Sequence, residues 1–185
     1  MTTLSSSPLL SAVDHAQQQG WSDAVSEEIA DAEKSASVND LVEAANRLSQ
    51  LCPRPDTKSL TTSSCRTVVE RLSIRGEVNR HANDFQNTYE GARFRDRTLE
   101  ATVTVHVQLN DQGVPINVRA DLQRLGPHRK VQSHSQRQAE RVLREDITKI
   151  FTDMTFPNLA GTPLSFEFPL NFSFPLDYER SQKGR

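Results

Sequence analysis

The chain has 185 residues, enough for one ordinary domain and a smaller companion, because single cores are commonly built from roughly 100 to 150 residues. Hydrophobic residues make up 35% and the mean hydropathy is -0.61; no apolar run approaches the roughly 18 residues that cross a bilayer, so no transmembrane segment is expected. The net charge of -2 hides an asymmetry: residues 1–52 hold eight acids and two bases, the remainder sixteen acids and twenty bases. An excess of four positive charges over so long a stretch is too dilute for a nucleic-acid footprint, and no nucleic-acid partner is expected.

The opening MTTLSSSPLLSAVDH has no early Lys or Arg and only the Leu9-Leu10 pair in place of an apolar signal core, which argues against a signal peptide. Cytoplasmic retention, export without a cleaved signal, or excision from a longer anchored parent all remain open, with Met1 favouring a complete chain. Ser7-Pro8 is a good cap and first-turn pair for a helix whose Leu9, Leu10 and Val13 share a face and which stops at Gly20. Ser22 or Asp23 caps a second helix, with Trp21, Val25, Ile29 and Ala32 at helical spacing. Ser37 or Asn39 caps a third, whose buried stripe is Leu41, Ala44, Ala45, Leu48 and Leu51. Residues 1–52 therefore read as an acidic helical region. Its few large side chains call for a partner or a second domain to cover them, and Trp21 reads as a core aromatic ahead of a docking residue.

Residues 53–64, PRPDTKSLTTSS, read as a linker and domain boundary, because Pro, Ser and Thr replace apolar periodicity. Cys52 and Cys65 flank it. A disulfide there would stabilise the fold by roughly 3 kcal/mol in an oxidising compartment; two unrelated thiols is the equal alternative. A short helix is expected from Cys65 to about Arg75. Residues 77–97 show no clear period, and Phe85, Tyr89 and Phe94 are expected to anchor that stretch to the domain after it.

From Thr98 to Leu109 apolar and polar residues alternate strictly, which predicts a half-buried strand. Asn110-Asp111-Gln112-Gly113 forms a hairpin loop, and Val114, Ile116, Val118 and Ala120 continue as the antiparallel partner, with Pro115 early in an edge position. Residues 121–134 read as a polar, basic loop. A helix over 135–153 comes next, with Ala139, Val142, Leu143, Ile147, Ile150, Phe151 and Met154 on its apolar face. After Gly161-Thr162-Pro163 comes a last strand in which Leu164, Phe166, Phe168, Leu170, Phe172 and Phe174 point one way, and Pro169 implies an edge or a bulge. The polar tail is 177–185. The fold class expected is α+β: a small antiparallel sheet packed by one amphipathic helix, over residues 65–176, preceded by the helical region.

No catalytic constellation emerges. The five histidines show no ligand spacing, no nucleophile turn or phosphate-cradling glycine pattern occurs, and no metal or cofactor is expected. Arg124, Arg129, Lys130 and Arg137 form the densest basic feature, a candidate for an acidic partner or for the chain's own acidic region, weighed against a solvated loop.

The run ATVTVHVQLNDQGVPINVRA, followed by an amphipathic helix ending ITKIFTDMTFPNLAGTPLSFEFPLNFSF, resembles the C-terminal domain of the TonB family and, more distantly, of TolA, over roughly residues 89–175. The resemblance implies a non-enzymatic module that binds a protein by adding a strand at its sheet edge, in a bacterial envelope or secretion assembly and on the periplasmic side. The family's membrane anchor and Pro-rich spacer are not seen, which puts energy coupling in doubt. The candidate edge is Leu164, Phe166, Phe168, Pro169, Leu170 and Phe172, which also offers a route to a homodimer. A regulatory or immunity-like protein whose acidic helices mask a partner is the alternative, and a hydrolase or nuclease using His106 or His128 is a third reading.

Overall fold

The computed structural model describes residues 7–52, 60–125, 133–156 and 164–173. The chain divides into two units, Met1–His81 with Phe156–Ala160, and Ala82–Thr155 with Gly161–Arg185.

In the first unit, Pro8 opens helix α1 (Pro8–Gln19) and the Ser7 side chain accepts a hydrogen bond from the Leu10 amide, so the cap and first-turn pair act as their chemistry dictates. Ser22 caps α2 (Asp23–Ala32), which runs into a single 3-10 turn, Glu33–Ser35. Ser37 and Asp40 form a reciprocal capping box at the start of α3 (Val38–Leu51). Leu9, Val13, Ile29, Leu41 and Leu48 meet in one core, with Trp21 partly buried against it. Leu51, expected in the α3 stripe, stands 36% exposed in the last turn.

Helix α4 (Leu60–Arg80) covers this core, to which it contributes Val68, Val69 and Leu72. The expected linker over 53–64 is thus shorter than its composition suggests, since the helix already begins at Leu60, and the short helix expected to end near Arg75 runs to Arg80. The boundary lies after His81, because α4 belongs with α3. A Cβ on Gly76 would stand 3.2 Å from Val42 Cγ2 and 3.5 Å from Leu41 Cβ, so a glycine permits the close approach of α4 to α3. Glu33, only 8% exposed, receives Arg71 at 3.0 Å and Arg75 at 3.4 Å, tying the 3-10 turn to α4.

The second unit begins with α5 (Ala82–Arg93), in the stretch that shows no clear period in the sequence. Phe85, Tyr89 and Ala92 are its buried face, whereas Phe94, expected as an anchor, is 89% exposed just beyond its end. Strands β1 (Ala101–Leu109) and β2 (Pro115–Arg124) form the hairpin, helix α6 (His134–Asp153) comes next, and β3 (Leu164–Phe172) closes a three-stranded antiparallel sheet in the order β2-β1-β3. The fold is mixed α+β as expected, with α5 joining α6 as a second helix packed on the unit's core. Phe85 stacks on Phe151 at 5.5 Å between ring centres, Tyr89 stacks on Phe172 at 4.9 Å, and the Tyr89 hydroxyl donates to the Leu99 carbonyl at 2.7 Å.

Gly113 takes φ 78° in the hairpin loop, as the turn requires. The register slips between Gln108 and Leu109, so that Pro115 faces Leu109 and Asn117 faces Gln108. This bulge leaves Ile116 without an opposite residue, and Val114 and Ile116 are exposed at 42% and 65% instead of continuing the apolar face. Beyond it Ala120 is buried again.

Candidate functional site: the outer edge of β3

The direction of each backbone group in the sheet is fixed by two hydrogen bonds and the register. The Leu125 amide donates to the Glu100 carbonyl at 2.8 Å, and Asn110 donates to the Val114 carbonyl at 2.9 Å, so the even-numbered residues of β1 turn their backbone groups toward β2. Backbone direction alternates along a strand, hence the odd-numbered residues of β1 bond to β3. The pairs Val103–Leu170, Val105–Phe168 and Val107–Phe166 are then hydrogen-bonded, whereas His106–Glu167 and Thr104–Pro169 are the close, non-bonded kind. Side-chain contacts agree: Thr102 Oγ1 reaches Asn171 Oδ1 at 2.8 Å across one such pair.

Ser165, Glu167, Pro169 and Asn171 therefore direct their backbone groups outward, and no further strand flanks β3 among the described residues. The edge presents amide donors at Ser165, Glu167 and Asn171 and none at Pro169. Proline is tolerated at that point because the nitrogen faces away from β1, and the ladder to β1 runs through it without a register shift. The other side of β3 carries Leu164, Phe166, Phe168 and Leu170, all half-buried, and the buried Phe172. Every candidate edge residue over 164–172 is thus brought into one strand; Phe174 lies outside the described residues.

The opposite outer strand differs. By the same alternation Val118, Ala120, Leu122 and Arg124 turn outward from β2, but α6 packs against this strand and the bulge distorts its start.

The sheet's polar face is a network of charges. His106 Nδ1 lies 3.0 Å from Glu167 Oε1 and Nε2 lies 3.2 Å from Asp121 Oδ2, so the ring is bracketed by carboxylates from both outer strands. Arg119 donates to Asp121 at 2.9 Å and holds that carboxyl below its ordinary range. These groups line a shallow groove of about 410 Å³ with Gln108, Asn117 and Ser165. Of the two histidines considered for hydrolysis, His106 is engaged in this way and His128 lies outside the described residues. Among the described residues no cluster of three or more His, Cys, Asp and Glu is placed to hold a metal ion, and no helix is long and apolar enough to cross a membrane.

Arg124, taken with Arg129 and Lys130 as a basic loop, is a strand residue locked into ion pairs with Asp96 and with Glu140, the latter at 2.9 Å. It is not available as a free cation for a partner, and Arg129 and Lys130 fall outside the described residues. Cys52 and Cys65 are joined by a disulfide with their Cα atoms 5.7 Å apart. The acidity of the helical region is largely engaged internally: Asp14 and Glu43 meet Arg47, Glu28 meets His15, Asp31 meets Lys34, and Glu33 meets two arginines of α4.

Sequence reasoning finds the side chains of this edge but misses Ser165, Glu167 and Asn171, whose amides the register directs outward. Alternation in one strand gives side-chain direction; backbone direction needs the register of the neighbour. No family model, curated protein or solved structure matches the chain.

Proposed function

We propose that the protein is a non-catalytic binding or adaptor module that takes up an extended segment of a partner protein along the outer edge of β3. The observation that carries this reading is the row of outward amides at Ser165, Glu167 and Asn171 beside half-buried Phe166, Phe168 and Leu170. An incoming strand gains main-chain hydrogen bonds from the former and covers apolar surface on the latter. β3 is favoured over β2 because α6 packs against β2, the bulge distorts the start of that strand, and its apolar residues are smaller. The Cys52–Cys65 disulfide supports an oxidising compartment, in keeping with the periplasmic or envelope setting that the TonB-like order of elements implies.

The test uses the full chain and a synthetic peptide copying Leu164–Phe172 with threonine in place of Pro169, a surrogate strand that can pair with the edge. Titrating the peptide while following backbone amides by NMR is expected to shift Ser165, Glu167 and Asn171 most, with the amides of β2 little changed. Binding that moves only the polar groove around His106, or only β2, would contradict edge addition at β3, as would no binding at all.

A further inference from the structure

We infer that Pro169 is the specificity-determining residue of this edge: by withholding one central donor it disfavours pairing between two copies of the chain more than pairing with a different strand. The inference rests on the strand-addition reading and adds what decides between partners.

The asymmetry comes from symmetry. Two copies pairing antiparallel through β3 are related by a two-fold axis, so any gap in the edge occurs in both strands. Centred on Phe168, such a pairing sets Ser165 against Asn171 and Glu167 against Pro169, and the bond that a residue 169 amide would give to the Glu167 carbonyl is missing from both copies. Centring on Pro169 sets proline against proline, with no hydrogen bond at the middle. Centring on Glu167 sets like charges opposite each other, 68% exposed and already beside Asp121 across His106. A strand from another protein meets the same gap only once, and it is free to carry a basic residue opposite Glu167.

Apart from this gap, β3–β3 pairing is well matched, since Phe168 would face Phe168 and Phe166 would face Leu170. That is the arrangement edge strands need protection against, and proline on the free side of an edge provides it. The side chain of Pro169 lies on the exposed face, opposite Thr104, so the inward packing of β3 does not require it.

The experiment compares self-association of the full chain, the Pro169→Thr variant and the double variant Pro169→Thr/Glu167→Pro by sedimentation equilibrium, with circular dichroism and thermal melting reporting the fold. Threonine restores two hydrogen bonds per dimer, and self-association is expected to tighten by about tenfold or more. Proline at position 167 removes the neighbouring outward amide and is expected to return the chain to its original weak association, even though it also removes a charge. Equal self-association of the folded wild type and Pro169→Thr would overturn the inference, and so would a double variant that stays as tightly associated as Pro169→Thr. The peptide titration separates this failure from that of the underlying reading. If the peptide binds β3 while Pro169→Thr gains nothing, edge addition stands and the role of Pro169 is overturned; if the peptide does not bind, both are.

Discussion

Replacing Arg124 by alanine is expected to destabilise the second unit by about 3 to 5 kcal/mol, because it leaves two largely enclosed carboxylates without their shared cation. The guanidinium sits at the end of β2 and pairs with Asp96, in the connection between α5 and β1, and with Glu140 on α6, so one side chain ties together three parts of the unit. It also donates to the Thr98 hydroxyl at 3.1 Å. The side chains of Arg124 and Asp96 are 14% and 6% exposed, so solvent screening discounts the effect little. Lysine is a poor replacement, since a point charge cannot fork to two carboxylates, and Arg124→Lys is expected to recover only part of the loss. Denaturant unfolding followed by circular dichroism measures both variants; a loss below about 1 kcal/mol for Arg124→Ala would show that the triad is merely a surface ion pair.

The same cluster sets an acid dependence. Burial pushes the Asp96 carboxyl upward, but hydrogen bonds from Arg124 and from the Thr98 hydroxyl and amide outweigh it, and the net shift is downward. A folded value below the unfolded one means stability that is present above about pH 4 and is lost as the pH falls through the depressed value. In Arg124→Ala the Asp96 carboxyl loses the partner that depresses it, so its acid-dependent loss of stability shrinks; the difference in unfolding free energy between wild type and variant should narrow as the pH falls from neutral to about 3.

Breaking the Cys52–Cys65 bond is expected to cost the first unit about 3 kcal/mol, the loop-closure contribution for a span of thirteen residues. The bond joins Cys52, at the end of α3, to Cys65 in α4, and Cys65 is fully buried. Because a serine at 65 also brings a hydroxyl into an apolar site, the Cys52→Ser/Cys65→Ser variant alone would mix two effects. Melting the wild type with and without reductant isolates the covalent one: reduction should lower Tm by several degrees, and reductant should leave the double variant unchanged.

The β1 alternation, the caps at Ser7, Ser22 and Ser37, the α6 stripe and the edge position implied by Pro169 are all legible in the sequence, because each rests on local periodicity or on a residue with one stereochemical use. Helix α4 is longer than its sequence suggests because it starts among Ser and Thr, whose low helical preference is overridden by packing of Val68, Val69 and Leu72 on α3. Helix α5 is marked by the spacing of Phe85, Tyr89 and Ala92 but obscured by its polar composition. Two features require the fold itself. The bulge that exposes Ile116 depends on how the hairpin closes, and the partners of Arg124 come from segments 28 and 16 residues away. The outward amides of β3 belong to the same class, since only the register against β1 assigns them.

That assignment is the point on which the binding reading depends, and native-state amide hydrogen exchange of the free chain tests it most directly. Phe166, Phe168 and Leu170, bonded to β1, should be protected, while Ser165, Glu167 and Asn171 should exchange orders of magnitude faster. Protection of the odd-numbered amides equal to that of their neighbours, or the reverse alternation, would contradict a free β3 edge.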